Sequence, residues 1–299
     1  MQQEFNPQNE NIFIWVENKL HPRNEAKVSV FDSSVQGGDA VWEGLRIYNG
    51  KIFCLDEHLE RLHASAHAML FKNVPTKEYI KNAIFETLKA NGMNHNAHIR
   101  LTLTRGEKIT SGMDPRLNQK GCTLIVLAEW KKPVYSGSIK LITASIRRNS
   151  PMHIDSKIHH NNLINNILAK IEANIAGMDD ALMLDNLGFV SETNACNIFM
   201  VKNNVVYTPN ADACLPGITR KKVIEICVSN NFQIHLKNLS LTEFYNADEV
   251  FTTGTMGELT AVSEIDGRAI VNKKESSLLE KINEHFHKMT MEEGEIIPL

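Results

Sequence analysis

Short stretches that alternate apolar and polar residues, and longer stretches with helical spacing, succeed one another along this chain in no regular order. That irregularity argues against a repeated strand–helix–strand fold and points to an α+β architecture. Strands are expected at residues 12–16, 26–31, 44–48 and 51–54, the last two flanking an Asn49-Gly50 hairpin turn. A helix is expected from a cap at Asp56 to about Leu70, and another over 76–90, stopped by Asn91-Gly92. Two apolar strands, 98–104 and 122–129, follow on either side of a loop rich in Gly, Pro and Asn.

The stretch 130–138, WKKPVYSGS, carries turn formers and neither period, so it reads as a linker. It divides the chain into domains at 1–130 and 139–299, with 131–138 between them. Beyond it, 139–146 alternates as a strand. Residues 161–176 carry the clearest helical pattern, with Leu163, Ile164, Ile167, Leu168, Ile171 and Ile175 on one face and Gly177 as the stop. Strands at 181–184, 197–201, 205–208, 249–253 and 258–262, with helices at 218–228 and 276–289, complete a second α+β domain.

The 299 residues suffice for two hydrophobic cores, and a hydrophobic content of 42% with 22% charged residues is ordinary for a globular protein. Lysine and arginine number 32 against 35 acidic residues, well mixed, so nucleic-acid binding has no electrostatic footprint. No apolar run approaches the roughly 20 residues that span a bilayer, and the first residues lack the charged and apolar regions of a signal peptide. Cys54, Cys122, Cys196, Cys214 and Cys227 are scattered without a CxxC pair, as expected of reduced thiols in a cytoplasmic protein. His153, His159 and His160 match no metal-ligand spacing, so no metal is expected.

The chemistry lies in an ordered series. Lys157 opens the amphipathic helix; Glu192 stands in GFVSE, with Asn197 opening the next strand. In LPGITR (215–220) a glycine turn leads directly into a helix, whose first N–H groups and dipole suit a phosphate. TTGT (252–255) is a second glycine-containing turn, and Arg61 lies on a helix face, 56–61, that reads first as solvated. A lysine, a carboxylate, an anion site at a helix start, a second turn and an arginine are together what pyridoxal phosphate requires.

In these motifs the sequence resembles the class IV aminotransferases, the fold-type IV pyridoxal-phosphate enzymes. The likeness runs from VWEGLRIYNG (41–50) and EHLERLHASA (57–66) to TTGTMGELTAV (252–262). It is densest over SKIHHNNLINNILAKIEANIAGMDDALMLDNLGFVSETNACNIF (156–199). The resemblance implies a two-domain fold and a homodimer. It implies pyridoxal 5'-phosphate bound covalently by Lys157, with Glu192 on the pyridine nitrogen. Arg61, Ile218, Thr219 and Thr255 match its phosphate contacts, and Trp42, Arg46, His98, Arg100 and Trp130 align near the substrate.

Branched-chain L-amino acids with 2-oxo acids such as 2-oxoglutarate are the substrates that the likeness favours. The branched-chain enzymes usually carry tyrosines where this chain has Gly37, His98 and Asn162. GGDAVWEG and the TRG at 104–106 lean instead toward D-amino acid transaminases and aminodeoxychorismate lyases. Both remain alternatives.

Overall fold

The computed structural model describes residues 4–272 and 277–298. The chain forms two compact units. One holds Gln2–Lys132, Ile158–Asn162 and Thr290–Leu299; the other holds Pro133–Lys157 and Leu163–Met289. The division at 131–138 expected from sequence therefore differs in two places. Ile158–Asn162 and Thr290–Leu299 return to the N-terminal unit.

In the N-terminal unit, the elements are β1 (Phe13–Val16), β2 (Lys19–Pro22), α1 (Ser33–Gly37), β3 (Ala40–Tyr48), β4 (Lys51–Ile52), α2 (Leu55–Ala68), α3 (Lys77–Asn91), β5 (Ala97–Thr104) and β6 (Thr123–Trp130). The sheet runs in the order Glu295–Ile296, β4, β3, β5, β6, β1, β2, with every neighbour antiparallel. Asn49 and Gly50 both take positive φ, 45° and 75°, as a tight hairpin turn between β3 and β4 demands. Strand alternation then sorts the sheet's two faces. Val41, Leu45, Ile47, Ile99, Leu101, Leu103, Leu124, Val126 and Ala128 pack against Leu59, Leu62, Ile80, Ile84 and Leu88 of the helices. The intervening residues, Trp42, Gly44, Arg46, His98, Arg100 and Thr102, point away from that core, with Gly44 opposite Arg100 and Arg46 opposite His98.

Residues 26–31 are not a strand. Asp32 N bonds Ser29 O to close a turn, and Val30 and Phe31 are exposed. Their alternation finds no partner strand, because the edge beside β1 is taken by β2, which sequence reading passed over. Asp56 does not cap α2 either. Cys54 holds that position with φ 52° and no side-chain capping bond, and Asp56 sits in the first turn, where its charge favours the helix dipole. Thr76 does cap α3, its side chain accepting from Tyr79 N. Trp130, the first residue of the turn-forming stretch and the last of the expected N-terminal domain, ends β6 opposite Ala97.

The second unit contains β7 (Ile139–Thr143), α4 (Ile164–Ile175), β8 (Asp180–Leu184), β9 (Val190–Thr193), β10 (Asn197–Lys202), β11 (Val205–Thr208), α5 (Ile218–Ser229), β12 (Ile234–Leu236), α6 (Leu241–Tyr245), β13 (Glu249–Gly254), β14 (Glu258–Ile265), β15 (Arg268–Ala269) and α7 (Leu278–Glu292). Its sheet runs β12, β11, β10, β13, β14, β7, β8, β9, with β15 paired to β14. The expected start of α7 at Ser276 lies outside the described residues. A core of Leu141, Leu182, Ile198, Phe244, Val250 and Val262 fills one region of this unit.

α4 departs most from expectation. It begins at Ile164, and the face that packs on the sheet is its alanine face. Ala169 and Ala173 are buried against Ala144, Ala181 and Met183. Ile164, Ile167, Leu168, Ile171 and Ile175 stand 44% to 82% exposed. Small side chains let the helix approach the strands closely, so the bulky stripe faces outward.

Candidate active site

In the second unit, Lys157 lies in the irregular run between β7 and α4, not at the head of the helix. Asp155 Oδ1 accepts from Lys157 N at 3.0 Å and lies 3.7 Å from Nζ; Nζ donates to Asp212 O at 3.3 Å. The lysine side chain is 44% exposed.

Glu192, in β9 opposite Met183, is buried. Its Oε1 accepts from Arg148 Nε at 2.7 Å and from Leu215 N at 3.4 Å, and its Oε2 accepts from Asn197 Nδ2 at 3.1 Å. Burial raises its carboxyl above the usual range, and Arg148 opposes that rise. Asn197 also donates to Leu215 O at 2.8 Å, so one amide ties the carboxylate to the turn before α5. The same amide explains Gly217: a Cβ there would fall 2.1 Å from Asn197 Oδ1.

Gly217 gives α5 no side-chain cap, which leaves the first-turn N–H groups, including those of Ile218 and Thr219, to another partner. Thr255 directly follows β13, and two positions earlier Thr253 Oγ1 is buried without a hydrogen-bond partner. A buried carboxylate facing one arginine, an uncapped helix start and an orphaned hydroxyl suit a ligand that brings a protonated ring nitrogen and a phosphate. The donor set of pyridoxal phosphate fits these groups.

In the N-terminal unit, Arg61 is far from the solvated residue that its helix face suggested. Its Nε donates to Glu43 Oε1 at 2.8 Å and its Nη2 to Glu43 Oε2 at 2.6 Å, a two-pronged grip. Glu43 is fully buried on the core side of β3 and also meets His58 Nδ1 at 2.7 Å and His159 Nδ1 at 3.2 Å. Burial works to raise its carboxyl, but His159 and Arg61 overcome it and hold the group well below the usual range. Burial lowers His159 to about 4 despite Glu43.

Arg100 lies 3.4 Å from the centroid of the Trp42 ring and donates from Nη2 to Asn161 Oδ1 at 2.7 Å. Burial lowers its pKa to about 10. On its other approach Trp42 meets the His159 ring at 4.1 Å, and its Nε1 donates to His160 O at 3.1 Å. His98 is buried, and its Nε2 has no hydrogen-bond partner. Burial, Lys131, Arg46 and Arg100 lower it to about 3. Arg46 is buried, 5.7 Å from the Tyr48 ring centroid.

The structure thus gathers Trp42, Arg46, His98 and Arg100 on one sheet face and leaves out Trp130. The Trp130 ring packs beside the core and against His95 at 5.3 Å, and its carbonyl accepts from Asn6 and Asn9. Glu43, Arg148 and Asn161 escaped the sequence reading. Glu43 alone left a trace, as a charge at an inward position of an apolar strand. Among the described residues no cluster of His, Cys, Asp and Glu is arranged to hold a metal ion, and no helix is long and apolar enough to cross a membrane.

Residues 40–265 match the family model of the class IV amino-transferases. Branched-chain-amino-acid aminotransferase-like protein 2 of Arabidopsis thaliana is 61% identical over 294 residues, which cover 98% of this chain and 53% of that protein. The chain therefore spans about half the length of this relative. A putative branched-chain-amino-acid aminotransferase of Methanocaldococcus jannaschii is 39% identical over 274 residues, 91% of this chain and 94% of that one. A crystal structure of a branched-chain amino acid aminotransferase complexed with N-(5'-phosphopyridoxyl)-L-glutamate superposes with a TM-score of 0.86 at 32% identity. That superposition covers 94% of this chain and 95% of the other.

Proposed function

We propose, from the premise that this chain belongs to the class IV aminotransferases, that it is a pyridoxal 5'-phosphate enzyme. Its reaction exchanges amino groups between branched-chain L-amino acids and 2-oxo acids such as 2-oxoglutarate. The observation that carries the reading is Glu192, buried against Arg148 in the same unit as Lys157 and the uncapped start of α5.

Bound pyridoxal phosphate supplies a ring that takes up the electrons left behind when the substrate loses its α-proton. Lys157 Nζ would hold the cofactor covalently, and its amine, when free, would carry the proton taken from the substrate's α-carbon. Glu192 would accept the hydrogen bond of the ring N–H and favour its protonated form. The N–H groups of Ile218 and Thr219, with Thr255 and Arg61, would bind the phosphate. Trp42 offers an apolar surface to a branched side chain, a burial that contributes roughly 1.5–3 kcal/mol, while Arg46 and Arg100 pair with carboxylates. The exposed apolar stripe of α4 supports a homodimer, and five cysteines, none of them in a disulfide, support a cytoplasmic location.

The test is to load the protein with pyridoxal phosphate, reduce with borohydride and map the peptides; the pyridoxyl group is expected on Lys157. Finding it on another lysine overturns the site. Incubation with both enantiomers of leucine, isoleucine, alanine and glutamate, plus 2-oxoglutarate or pyruvate, then reads the substrate. Turnover confined to D-alanine and D-glutamate, or pyruvate release from aminodeoxychorismate without amino transfer, replaces the branched-chain assignment.

A further inference from the structure

Lys157 is the last residue of its segment in one unit, and the next five residues, Ile158–Asn162, belong to the other. This short strap lies along β3. Trp42 N donates to His159 O at 3.0 Å, Asn161 N donates to Ala40 O at 2.7 Å, and Val41 and His160 form a bridge. Those main-chain bonds fix the strap without help from the Asn161 side chain, whose Oδ1 instead accepts from Arg100.

Two contacts then determine where the Arg100 guanidinium lies. Stacking on Trp42 sets its plane, and the bond to Asn161 sets its rotation within that plane. Gly44, directly opposite on β3, puts no side chain beside it. The partner also matters electrically. Arg61 is paired with Glu43, Arg148 with Glu192 and Arg105 with Asp39, so each of those charges is offset by a carboxylate. Arg100 is bonded to a neutral amide, and Glu43, the carboxylate that acts on it, is already gripped by Arg61. A desolvated arginine with no carboxylate of its own in contact attracts an anion more strongly than one directly paired.

We infer that Asn161 is a positioning residue that holds Arg100 against Trp42, without a contacting carboxylate, for the second carboxylate of a dicarboxylic substrate. The inference rests on the transaminase reading above, and it names a residue that sets the preference for the dicarboxylic partner over the aliphatic one.

The experiment uses the pyridoxal-phosphate-loaded protein and two unreactive probes, glutarate for the dicarboxylic partner and 4-methylpentanoate for the aliphatic one. Their affinities are measured by calorimetry beside kcat and KM for 2-oxoglutarate and L-leucine. Asn161→Ala should weaken glutarate and raise the KM for 2-oxoglutarate roughly tenfold, the effect of one lost hydrogen bond to a charged group. It should leave 4-methylpentanoate and L-leucine unchanged. Asn161→Asp keeps the shape and the acceptor oxygen but adds a negative charge beside Arg100, so it should weaken glutarate further than alanine does. That variant keeps the test decisive if the alanine variant does not fold. In an Arg100→Ala background, Asn161→Ala should add nothing to the loss of glutarate affinity.

Equal weakening of both probes, unchanged glutarate affinity in Asn161→Asp, or additive losses in the double variant would overturn the inference. Failure of the transaminase reading looks different, because the unmodified protein would then move no amino group between any pair, whatever the variants bind.

Discussion

Glu43 and Glu192 are both buried, and both are gripped by an arginine, yet their acidities move in opposite directions. Glu43 has Arg61, His58 and His159 around it, and its carboxyl is held well below the usual range. Glu192 has Arg148, the Asn197 amide and the Leu215 N–H, and its carboxyl rises. At Glu192 the loss of water outweighs Arg148 and Arg220, whereas at Glu43 His159 and Arg61 together outweigh it. Glu43 is therefore saturated and fixes Arg61 in place. Glu192 keeps a carboxyl whose charge is disfavoured by burial, and on the proposed reading a protonated ring nitrogen is the cation that would meet it. Depth does not separate the two carboxylates; the balance between burial and the groups bonded to each does.

Removing the saturated charge should have the larger effect. Glu43→Gln strands Arg61 opposite a neutral amide, and breaking a buried pair on one side costs about 3–5 kcal/mol of stability. Urea unfolding reads this directly, and a variant as stable as the parent would show that the histidine–arginine cluster holds nothing together. Glu192→Gln should be milder on folding and harder on chemistry. On the proposed reading it removes the charge that would keep the ring nitrogen protonated, for a rate loss on the order of 10²-fold. Near-normal turnover of that variant would mean that another carboxylate does this work.

The smallest effect concerns a histidine placed among cations. His98, lowered to about 3, stays neutral in the folded protein while the unfolded chain protonates it near 6.5. Between those values the unfolded state binds the extra proton, so stability rises with pH through this window and falls as the solution is acidified below about 6.5. His98→Gln should shrink the difference between urea midpoints at pH 5 and pH 7. An unchanged difference would place the acid sensitivity elsewhere, with His159 the next candidate.

Local signals were legible wherever they were also decisive. The Asn49-Gly50 turn, the helix stop at Gly92 and the strand Val205–Thr208 all form as the residues suggest, because turn and cap chemistry act over a few positions. Reading failed where the outcome depended on a distant partner. The segment 26–31 alternates correctly but has no strand to pair with, and α4 turns its small face inward because alanine fits closer to β7 and β8. The candidate site divides in the same way. Lys157, Glu192 and the α5 turn stand out in sequence, while Arg148 and Asn161 gain meaning only from what they touch, at sequence separations of 44 and 61 residues. Trp130 shows the reverse error: a large aromatic aligned with the pocket, yet packed beside the core.

The interleaving of the two units also sets a timetable for synthesis. Glu295–Ile296 pairs with β4, Ile297 N bonds Gly50 O, and the Ile297 side chain joins the first core. A sheet edge made early in this chain is thus finished by residues made much later. Until then β4 presents an open edge, the kind of surface that recruits another strand or a chaperone. Damage near residue 297 would accordingly be felt first in the N-terminal unit, and a stalled nascent chain would expose a sheet that its own later residues were meant to close.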